Sequence, residues 1–360
     1  MTKTGFLPKD KLQDLIGSLT RKYLVYVPCE EGTTVLFNRF DPAKGICFER
    51  PANSSPKNVI YPQSETLFSY CIEKNPETPE KNTVELKQDL NFPETLIFGA
   101  RPCDAKGFRI LDRVFIDGEY PDPYYRGRRT MTTIVGLACP ESYAGCFCTA
   151  LGSSPVEKDD VDVLMTELEK GYVFEAVTEK GETMLEDSLI QEGSAYATEA
   201  QEKRQAIDAK AREVQAAEAV TRIANEEKFQ SNDFWDQATD RCISCGACTY
   251  LCPTCYCFNI TDDKGVSAGE RVRSWDSCMF CHFTLETSGH NPRTKKAQRY
   301  KNRVGHKFKH YPDKYGGAIQ CTGCGRCIRF CPVSMEISEI VRSVNRAEGS
   351  EKQMADATSS

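Results

Sequence analysis

The sequence lacks the signals that carry a chain into or across a membrane. No apolar run approaches the length that spans a bilayer. The first residues show no charged stretch followed by an apolar one, as a secretory signal would. We therefore expect a cytoplasmic protein in a reducing compartment, without direct membrane insertion and without a framework of disulfides.

Signals for binding nucleotides and nucleic acids are also missing. The sequence has no P-loop and no G-x-G-x-x-G fingerprint, so nucleotide chemistry is expected on another protein. The formal net charge of -6 argues against generic binding to nucleic acid. The 4 histidines stand at no recognisable ligand spacing, so we assign them no metal. Metal chemistry must come from other side chains.

Cysteine, in contrast, is abundant, with 19 in 360 residues. Two runs share the pattern C-x2-C-x2-C-x3-C-P. The first run consists of Cys242, Cys245, Cys248 and Cys252, and the second of Cys321, Cys324, Cys327 and Cys331. This spacing is typical of paired 4Fe-4S clusters, in which the fourth cysteine of each run binds the other cluster. Thiolates suit iron because they are soft anions whose charge the metal neutralises.

The ligand exchange known for such pairs predicts two sets of ligands. One cluster should be held by Cys242, Cys245, Cys248 and Cys331, and the other by Cys321, Cys324, Cys327 and Cys252. Zinc ribbons instead bring together two separated C-x2-C pairs, and no proline is required after them. The sequence thus predicts two 4Fe-4S clusters with cysteine ligands to iron, and a protein that transfers electrons. No catalytic acid, base or nucleophile is nominated.

A third cluster is predicted near the N-terminal cysteines. Cys103 and Cys139 each follow a predicted strand, and the carboxyl ends of strands are where open α/β sheets form sites. Cys146 and Cys148 lie on the next loop and could complete a set of four ligands. The alternative is packing, since free cysteine is often buried. Packing is the interpretation we adopt for Cys29, Cys47 and Cys71.

A further group of cysteines lies between the two runs in the sequence. Its members are Cys255, Cys257, Cys278 and Cys281. Their C-x-C and C-x2-C spacing could supply four thiolates to a further iron-sulfur cluster or to a zinc ion. One or two clusters beyond the first two are therefore open possibilities.

The predicted fold class is an α/β N-terminal domain followed by a mainly helical ferredoxin-type domain that carries an insert. The α/β domain covers residues 1–195, a charged helical linker 196–232, the dicluster domain 233–346 and a disordered tail 347–360. Predicted strands are Tyr23–Val27, Thr34–Phe37, Thr95–Ala100 and Thr132–Ala138. The nearly seventy residues between the cysteine runs favour a helical ferredoxin over the short bacterial form.

Several local signals refine this outline. Leucine and isoleucine recur at helical spacing from Leu12 to Leu19. Asp104 can cap a helix that continues through Val114. The Glu-Lys-Gly triplet at 179–181 is a hairpin signal, and 298–309 and 337–346 are compatible with helices.

One strongly basic run stands out in an acidic protein. It spans Arg293 to His310 and contains eight lysines and arginines, interleaved with Tyr300 and Phe308. It could be a docking face for an acidic partner or a positive field that shifts the potential of a cluster. The plainer interpretation is a solvated face of a helix.

Five strings resemble a known family. They are GARPCDAKGFRILDRVF, GLACPESYAGCFCTALG, CISCGACTYLCPTCYCF, RSWDSCMFCHFTLETSGHNPR and CTGCGRCIRFCPV. They resemble the beta subunits of cytosolic sulfhydrogenases, and equally the A subunit of anaerobic sulfite reductase and the related iron-sulfur subunits found beside heterodisulfide reductases. The similarity extends over nearly the whole chain, from Leu12 to Val344.

The resemblance implies an electron-transfer subunit of a multisubunit oxidoreductase of anaerobic metabolism. Its expected partners are a flavoprotein of the ferredoxin-reductase type and a catalytic subunit with hydrogenase, sulfite or sulfur reductase, or heterodisulfide reductase chemistry. Two alternatives stay open. The chain could be a catalytic reductase with a substrate site at its N-terminal cysteines, or an iron-sulfur protein that binds nucleic acid, although no helicase, glycosylase or polymerase motif supports the latter.

Overall fold

The computed structural model describes residues 3–74, 77–78, 82–215 and 218–346. The predicted tail at 347–360 lies outside the described residues. The chain divides into two compact units. The first comprises Met1–Pro140, Pro155–Ala209 and Pro253–Asp276, and the second Glu141–Ser154, Lys210–Cys252 and Ser277–Ser360. No helix within the described ranges combines the length and the apolar character that crossing a bilayer requires.

The strands of the described residues are numbered in chain order. They are β1 (Thr4–Pro8), β2 (Leu24–Glu31), β3 (Thr34–Arg39), β4 (Ser64–Glu73), β5 (Thr83–Lys87), β6 (Thr95–Ala100), β7 (Thr132–Leu137), β8 (Val163–Glu167), β9 (Gly171–Ala176), β10 (Gln191–Glu192), β11 (Phe258–Lys264) and β12 (Ala268–Trp275). One sheet has the order β10-β1-β9-β8-β7-β6-β2-β3 and a second sheet the order β11-β12-β4-β5. Both sheets belong to the first unit.

The helices of the described residues are numbered in the same way. They are α1 (Leu12–Leu19), α2 (Lys57–Ile60), α3 (Pro102–Phe115), α4 (Pro123–Met131), α5 (Glu179–Met184), α6 (Ala197–Val214), α7 (Glu226–Gln230), α8 (Asn232–Ala238), α9 (Ala247–Tyr250), α10 (Lys296–Gly305), α11 (Tyr311–Lys314), α12 (Arg326–Arg329) and α13 (Ile337–Asn345). A single π-helical turn, His306–His310, follows α10. The helix predicted from Leu12 to Leu19 is confirmed.

A parallel block lies at the centre of the larger sheet. β6 pairs in parallel with β2 and β7, and β7 pairs in parallel with β8. Every residue of β6 and β7 is buried, which explains their continuous apolar runs, because parallel strands are usually covered on both faces. The strands predicted in these two places are confirmed. Their carboxyl ends lie side by side and lead into Cys103 and Cys139.

The second unit has an apolar core of its own. Trp235 is 1% exposed, and its indole Nε1 donates a hydrogen bond to the carbonyl oxygen of Phe229 at 2.7 Å. Tyr300 and Phe308 are also buried there. Five cysteines of the two runs pack against this core, namely Cys242, Cys248, Cys321, Cys327 and Cys331. The apolar core therefore holds the cysteine runs in place.

The predicted fold class is wrong, because the structure is not an α/β domain followed by a mainly helical one. The larger sheet is mixed, and the segment between the cysteine runs forms the hairpin of β11 and β12, which extends the sheet of β4 and β5 in the first unit. All seven residues of β11 are exposed. The buried, apolar signal that usually reveals a strand is therefore missing, and the charged Asp262, Asp263 and Lys264 obscured it further.

Two local expectations are also wrong. The triplet at 179–181 does not turn a hairpin but begins α5, with Thr178 as the cap that accepts a hydrogen bond from the amide of Gly181. Asp104 does not cap α3, because that helix begins two residues earlier at Pro102. Proline suits the first turn of a helix, since its missing N–H would have no partner there.

A buried cluster of charges ties the hairpin to the rest of the first unit. Arg273 of β12 donates to Glu65 Oε1 of β4 from Nε at 2.9 Å and from Nη2 at 2.6 Å, and it also pairs with Asp122. Arg128 of α4 donates to the other oxygen of Glu65 at 2.7 Å. Arg273 and Glu65 are 4% and 8% exposed. The sequence pattern gave no sign of this cluster.

Replacing Arg273 with Met should destabilise the first unit strongly. Removal of one partner of a buried ion pair costs about 3 to 5 kcal/mol, because the remaining charge is left in a poorly solvated site. Arg271→Met is a matched control, since Arg271 lies on the same strand but pairs with Asp262 at the surface. Urea unfolding under anaerobic conditions measures both. Equal stability of the two variants would contradict the assignment.

Candidate metal centre

The two cysteine runs adopt the same backbone conformation. The third position of each loop has a positive φ, with 57° at Ser244 and 66° at Gly323. The fifth position does as well, with 77° at Gly246 and 71° at Gly325. Each loop then enters a one-turn helix, α9 or α12. The repeated sequence spacing therefore produces a repeated structure, in which both loops curl tightly between successive cysteines.

The first loop surrounds an apolar pocket rich in sulfur. The pocket is lined by Cys242, Cys245, Cys248 and Cys331, with Cys327 also on its wall. Other residues of the first loop and Arg303 also line it, as do the apolar and aromatic side chains of Met279, Tyr300, Val333, Met335 and Ile337. The structure thus brings together the four cysteines predicted to share one cluster. A water-poor pocket with four sulfur donors fits an iron-sulfur cluster chemically.

The remaining cysteines of the two runs form a second, more deeply buried group. Cys252 is 7% exposed, and its sulfur accepts a hydrogen bond from Lys307 Nζ at 3.4 Å. Cys252 and Cys327 both lie close enough to Cys321 to raise the pKa of its thiol, and Cys324 does the same for Cys327. The four cysteines predicted for the other cluster are therefore neighbours.

Burial controls the protonation of these thiols. It raises the pKa of Cys248 to about 11 and that of Cys321 to about 12, while the charges of Arg303 and Lys307, respectively, act in the opposite direction. Without metal, both groups hold their protons at neutral pH. Both thiols would release their protons on holding iron, because the thiolate is the form that acts as a ligand.

Single-ion metal sites are a separate matter. Among the described residues, no three His, Cys, Asp or Glu side chains converge closely enough to hold one metal ion. A zinc ion would need its sulfur ligands at about 2.3 Å. The fit to a metal centre rests instead on the wider, cysteine-lined pocket and its neighbouring group.

Residues 144–148, which are distant from the second loop in sequence, contact that loop. The amide of Phe147 donates to the carbonyl oxygen of Gly323 at 2.9 Å. Arg329 donates to the carbonyl oxygens of Ala144 and Cys324 at 2.9 and 3.1 Å, and to the sulfur of Cys146 at 3.4 Å. Sequence reasoning missed this contact, because nothing in the local pattern links residues 144–148 to a run almost two hundred residues later.

The predicted third cluster divides between the two units. Cys103 lies in the first turn of α3 and Cys139 two residues after the end of β7, both in the first unit. Cys146 and Cys148 belong to the second unit, where Cys146 lies beside Cys324 and the buried Cys148 lies beside Gln215. A cluster held by all four cysteines stays a prediction.

The further group of cysteines between the two runs is divided in the same way. Cys255 and Cys257 belong to the first unit, where their carbonyl oxygens accept hydrogen bonds from Lys57 Nζ and from the Asp276 amide, both at 2.9 Å. In the second unit, Cys278 is buried and Cys281 is exposed. A further cluster or zinc site made from this group also stays a prediction.

The sequence predicts a packing role for three isolated cysteines. That interpretation is confirmed for Cys29 and Cys47, which are 0% and 3% exposed and belong to the apolar core of the first unit. It is wrong for Cys71, which is exposed on β4. Residues alternate between the two faces of a strand, and the face that carries Cys71 is open to solvent.

The basic run is not simply a solvated helix face. Arg299, Arg303 and Lys307 are 7%, 2% and 2% exposed. They recur every fourth residue and so lie on one face of α10 and the π-helical turn. The interpretation as a solvated face did not anticipate these buried cations, because the residue type alone does not show whether a lysine or arginine side chain is buried or exposed.

Comparison with known proteins gives two matches. A family model described as "4Fe-4S dicluster domain" matches residues 241–335, which include both cysteine runs. Sulfhydrogenase 2 subunit beta of Pyrococcus furiosus is 30% identical over 330 residues, which are 89% of this chain and 92% of that protein. No solved structure matches the chain. The prediction of two 4Fe-4S clusters is confirmed by the dicluster domain.

Replacing Gly325 with Ala should disrupt the second loop. A Cβ there would lie 2.5 Å from the carbonyl oxygen of Gly145, and φ is +71°. Gly316→Ala is a matched control, because its φ of +62° imposes a similar backbone strain of about 1 to 2 kcal/mol while its Cβ meets no atom within 4 Å. Iron analysis should show loss of about half the iron in Gly325→Ala only. Full iron in both variants would contradict the close packing seen here.

Proposed function

The chain belongs to the family of sulfhydrogenase beta subunits, and from that premise we propose that it relays single electrons between a flavoprotein subunit and a catalytic subunit. As a member of that family with a dicluster domain, it is an iron-sulfur electron-transfer subunit of an oxidoreductase. When bound, the clusters supply one-electron redox chemistry. The polypeptide contributes the ligands, the water-poor surroundings and the local charge that sets potentials.

The observation that carries the proposal is the pairing of the two cysteine loops. Cys331 of the second run lines the pocket formed by the first run, and Cys252 of the first run lies among the cysteines of the second. This exchange holds two centres close together within one unit. We assign Cys242, Cys245, Cys248 and Cys331 to one cluster and Cys321, Cys324, Cys327 and Cys252 to the other.

The name of the relative supports the existence of partner subunits. That protein is a beta subunit, so it assembles with at least one other kind of subunit in a sulfhydrogenase. By similarity, this chain is proposed to accept electrons from, or pass them to, a flavoprotein of the ferredoxin-reductase type, and to do the same with a catalytic oxidoreductase subunit. The proposed location is the cytoplasm, where thiols remain reduced.

A second candidate function rests on the carboxyl ends of the central parallel strands of the larger sheet. Cys103 and Cys139 follow the carboxyl ends of two neighbouring parallel strands, which is a common position for sites in open sheets. This placement favours a substrate site in the chain itself. Reduction of sulfite, sulfur or a disulfide by the isolated, iron-loaded chain would support this candidate over a pure relay.

Replacing ligands of opposite clusters should remove different spectroscopic signals. Cys331→Ala should abolish the reduced-state EPR signal of the cluster held by the first run, whereas Cys324→Ala should abolish the other signal. Cys71→Ala serves as the control, since Cys71 is exposed on β4 in the first unit. If Cys331→Ala and Cys324→Ala removed the same signal, the exchange of ligands would be wrong.

Loss of one cluster should interrupt electron flow through the assembled complex. In the anaerobically purified complex, Cys324→Ala should reduce electron transfer from the flavoprotein's reductant to the catalytic centre to background. Direct reduction of an artificial dye by the flavoprotein should persist, because that reaction bypasses the relay. Unchanged transfer to the catalytic centre would refute a relay through this cluster.

A further inference from the structure

The inward face of α10 and of the π-helical turn that follows it carries three cations beside the cysteine loops. Arg299, Arg303 and Lys307 succeed one another at four-residue spacing, and all three are buried. Burial of a charged side chain is costly unless a partner compensates it. What each of these cations contacts therefore indicates its role. The two that lie nearest the sulfur atoms are Arg303 and Lys307.

Lys307 contacts the group of cysteines that includes Cys252. Its Nζ donates to the sulfur of Cys252 at 3.4 Å and to the carbonyl oxygen of Gln320 at 3.2 Å. Gln320 directly precedes Cys321. The π-helical turn begins one residue before Lys307, and single π-helical turns often occur at functional positions.

Arg303 lies between the two groups. Its guanidinium donates to the carbonyl oxygen of Cys248 at 3.4 Å, and it also hydrogen-bonds the side chain of Cys327. Cys248 is assigned to one cluster and Cys327 to the other. The charge of Arg303 therefore acts on both centres, whereas that of Lys307 acts mainly on the centre that includes Cys252.

We propose that Arg303 and Lys307 are electrostatic positioning residues that stabilise the reduced forms of the two clusters and make their potentials unequal. The inference rests on the proposed function. Reduction adds one electron, supplied by one of the two proposed partner subunits and later passed to the other, and no covalent bond forms or breaks. The added negative charge is stabilised by a buried cation, since charges interact strongly where water is excluded.

The same helix offers a matched control. Lys309 follows Lys307 by two residues, yet its Nζ pairs with Glu226 at 2.5 Å, and Glu226 is exposed. Substitution of Lys309 by Met removes the same unit charge from the same turn. Its effect on the clusters should be small, because an exposed neighbouring charge and solvent already screen it.

The test is a redox titration of the intact, iron-loaded chain monitored by EPR. Lys307→Met should lower the equilibrium constant for reduction of the cluster bound by Cys324 at least about tenfold. For one electron, this change lowers the midpoint potential by about 59 mV. The other cluster should shift less. Arg303→Met should lower both potentials, and Lys309→Met neither. If each cluster had the same midpoint potential in all three variants as in the wild type, the inference would be overturned.

Charge-retaining variants separate electrostatics from packing. Arg303→Lys and Lys307→Arg keep the positive charge while altering shape. They should remain closer to the wild-type potentials than the corresponding Met variants. If the charge-retaining and neutral variants shifted the potentials equally, the residues would act through packing alone, and the inference would be wrong.

A measurement on the wild-type chain covers the case in which a neutral variant fails to assemble its clusters. Protein labelled with nitrogen-15 lysine should show, by pulsed EPR, a lysine nitrogen coupled to one reduced cluster through the sulfur of Cys252. Absence of that coupling would overturn the role of Lys307. Failure of the proposed function is distinct, because electron transfer through the assembled complex would then not depend on these clusters, while their potentials would still respond to the substitutions.

Discussion

The second unit is shaped by the need to keep anionic sulfur away from water without leaving its charge uncompensated. Burial alone drives the thiols of Cys248 and Cys321 toward their protonated forms. Bound iron would reverse that preference, and the cations of α10 and of the π-helical turn act in the same direction. The apolar core and the tightly curled loops therefore bury the sulfur atoms, and the inward arginines and lysine compensate their negative charge. Without those cations, burial of the thiolates would cost more free energy.

The sequence revealed the features that depend on local spacing. The cysteine runs could be recognised because each ligand pattern lies within eleven residues, and β6 and β7 because a parallel strand must be apolar throughout. The hairpin of β11 and β12 could not be recognised so easily. Its strands are mostly exposed and polar, and their partner β4 lies about two hundred residues earlier.

The candidate site shows the same limit at the level of single side chains. Which thiols form neighbours within the second unit could be predicted from a general rule about paired runs. The inward orientation of Lys307 and Arg303 could not, because it depends on where Cys252 and Cys327 come to lie in space. The closure of residues 144–148 over Gly323 depends likewise on a long-range contact. Local patterns thus identify ligands more readily than the groups that adjust them.

The interleaving of the chain between its two compact units has a practical and an evolutionary consequence. The segment Pro253–Asp276 departs from the second unit after the first cysteine run, contributes two strands to a sheet of the first unit, and returns before the second run. A fragment cut to the boundaries of the dicluster sequence would contain the hairpin of β11 and β12 without the rest of its sheet, and the remaining chain would have an unpaired edge at β4. Recombination that shuffles ferredoxin modules as contiguous cassettes would break this chain, so its two units are expected to have been inherited together.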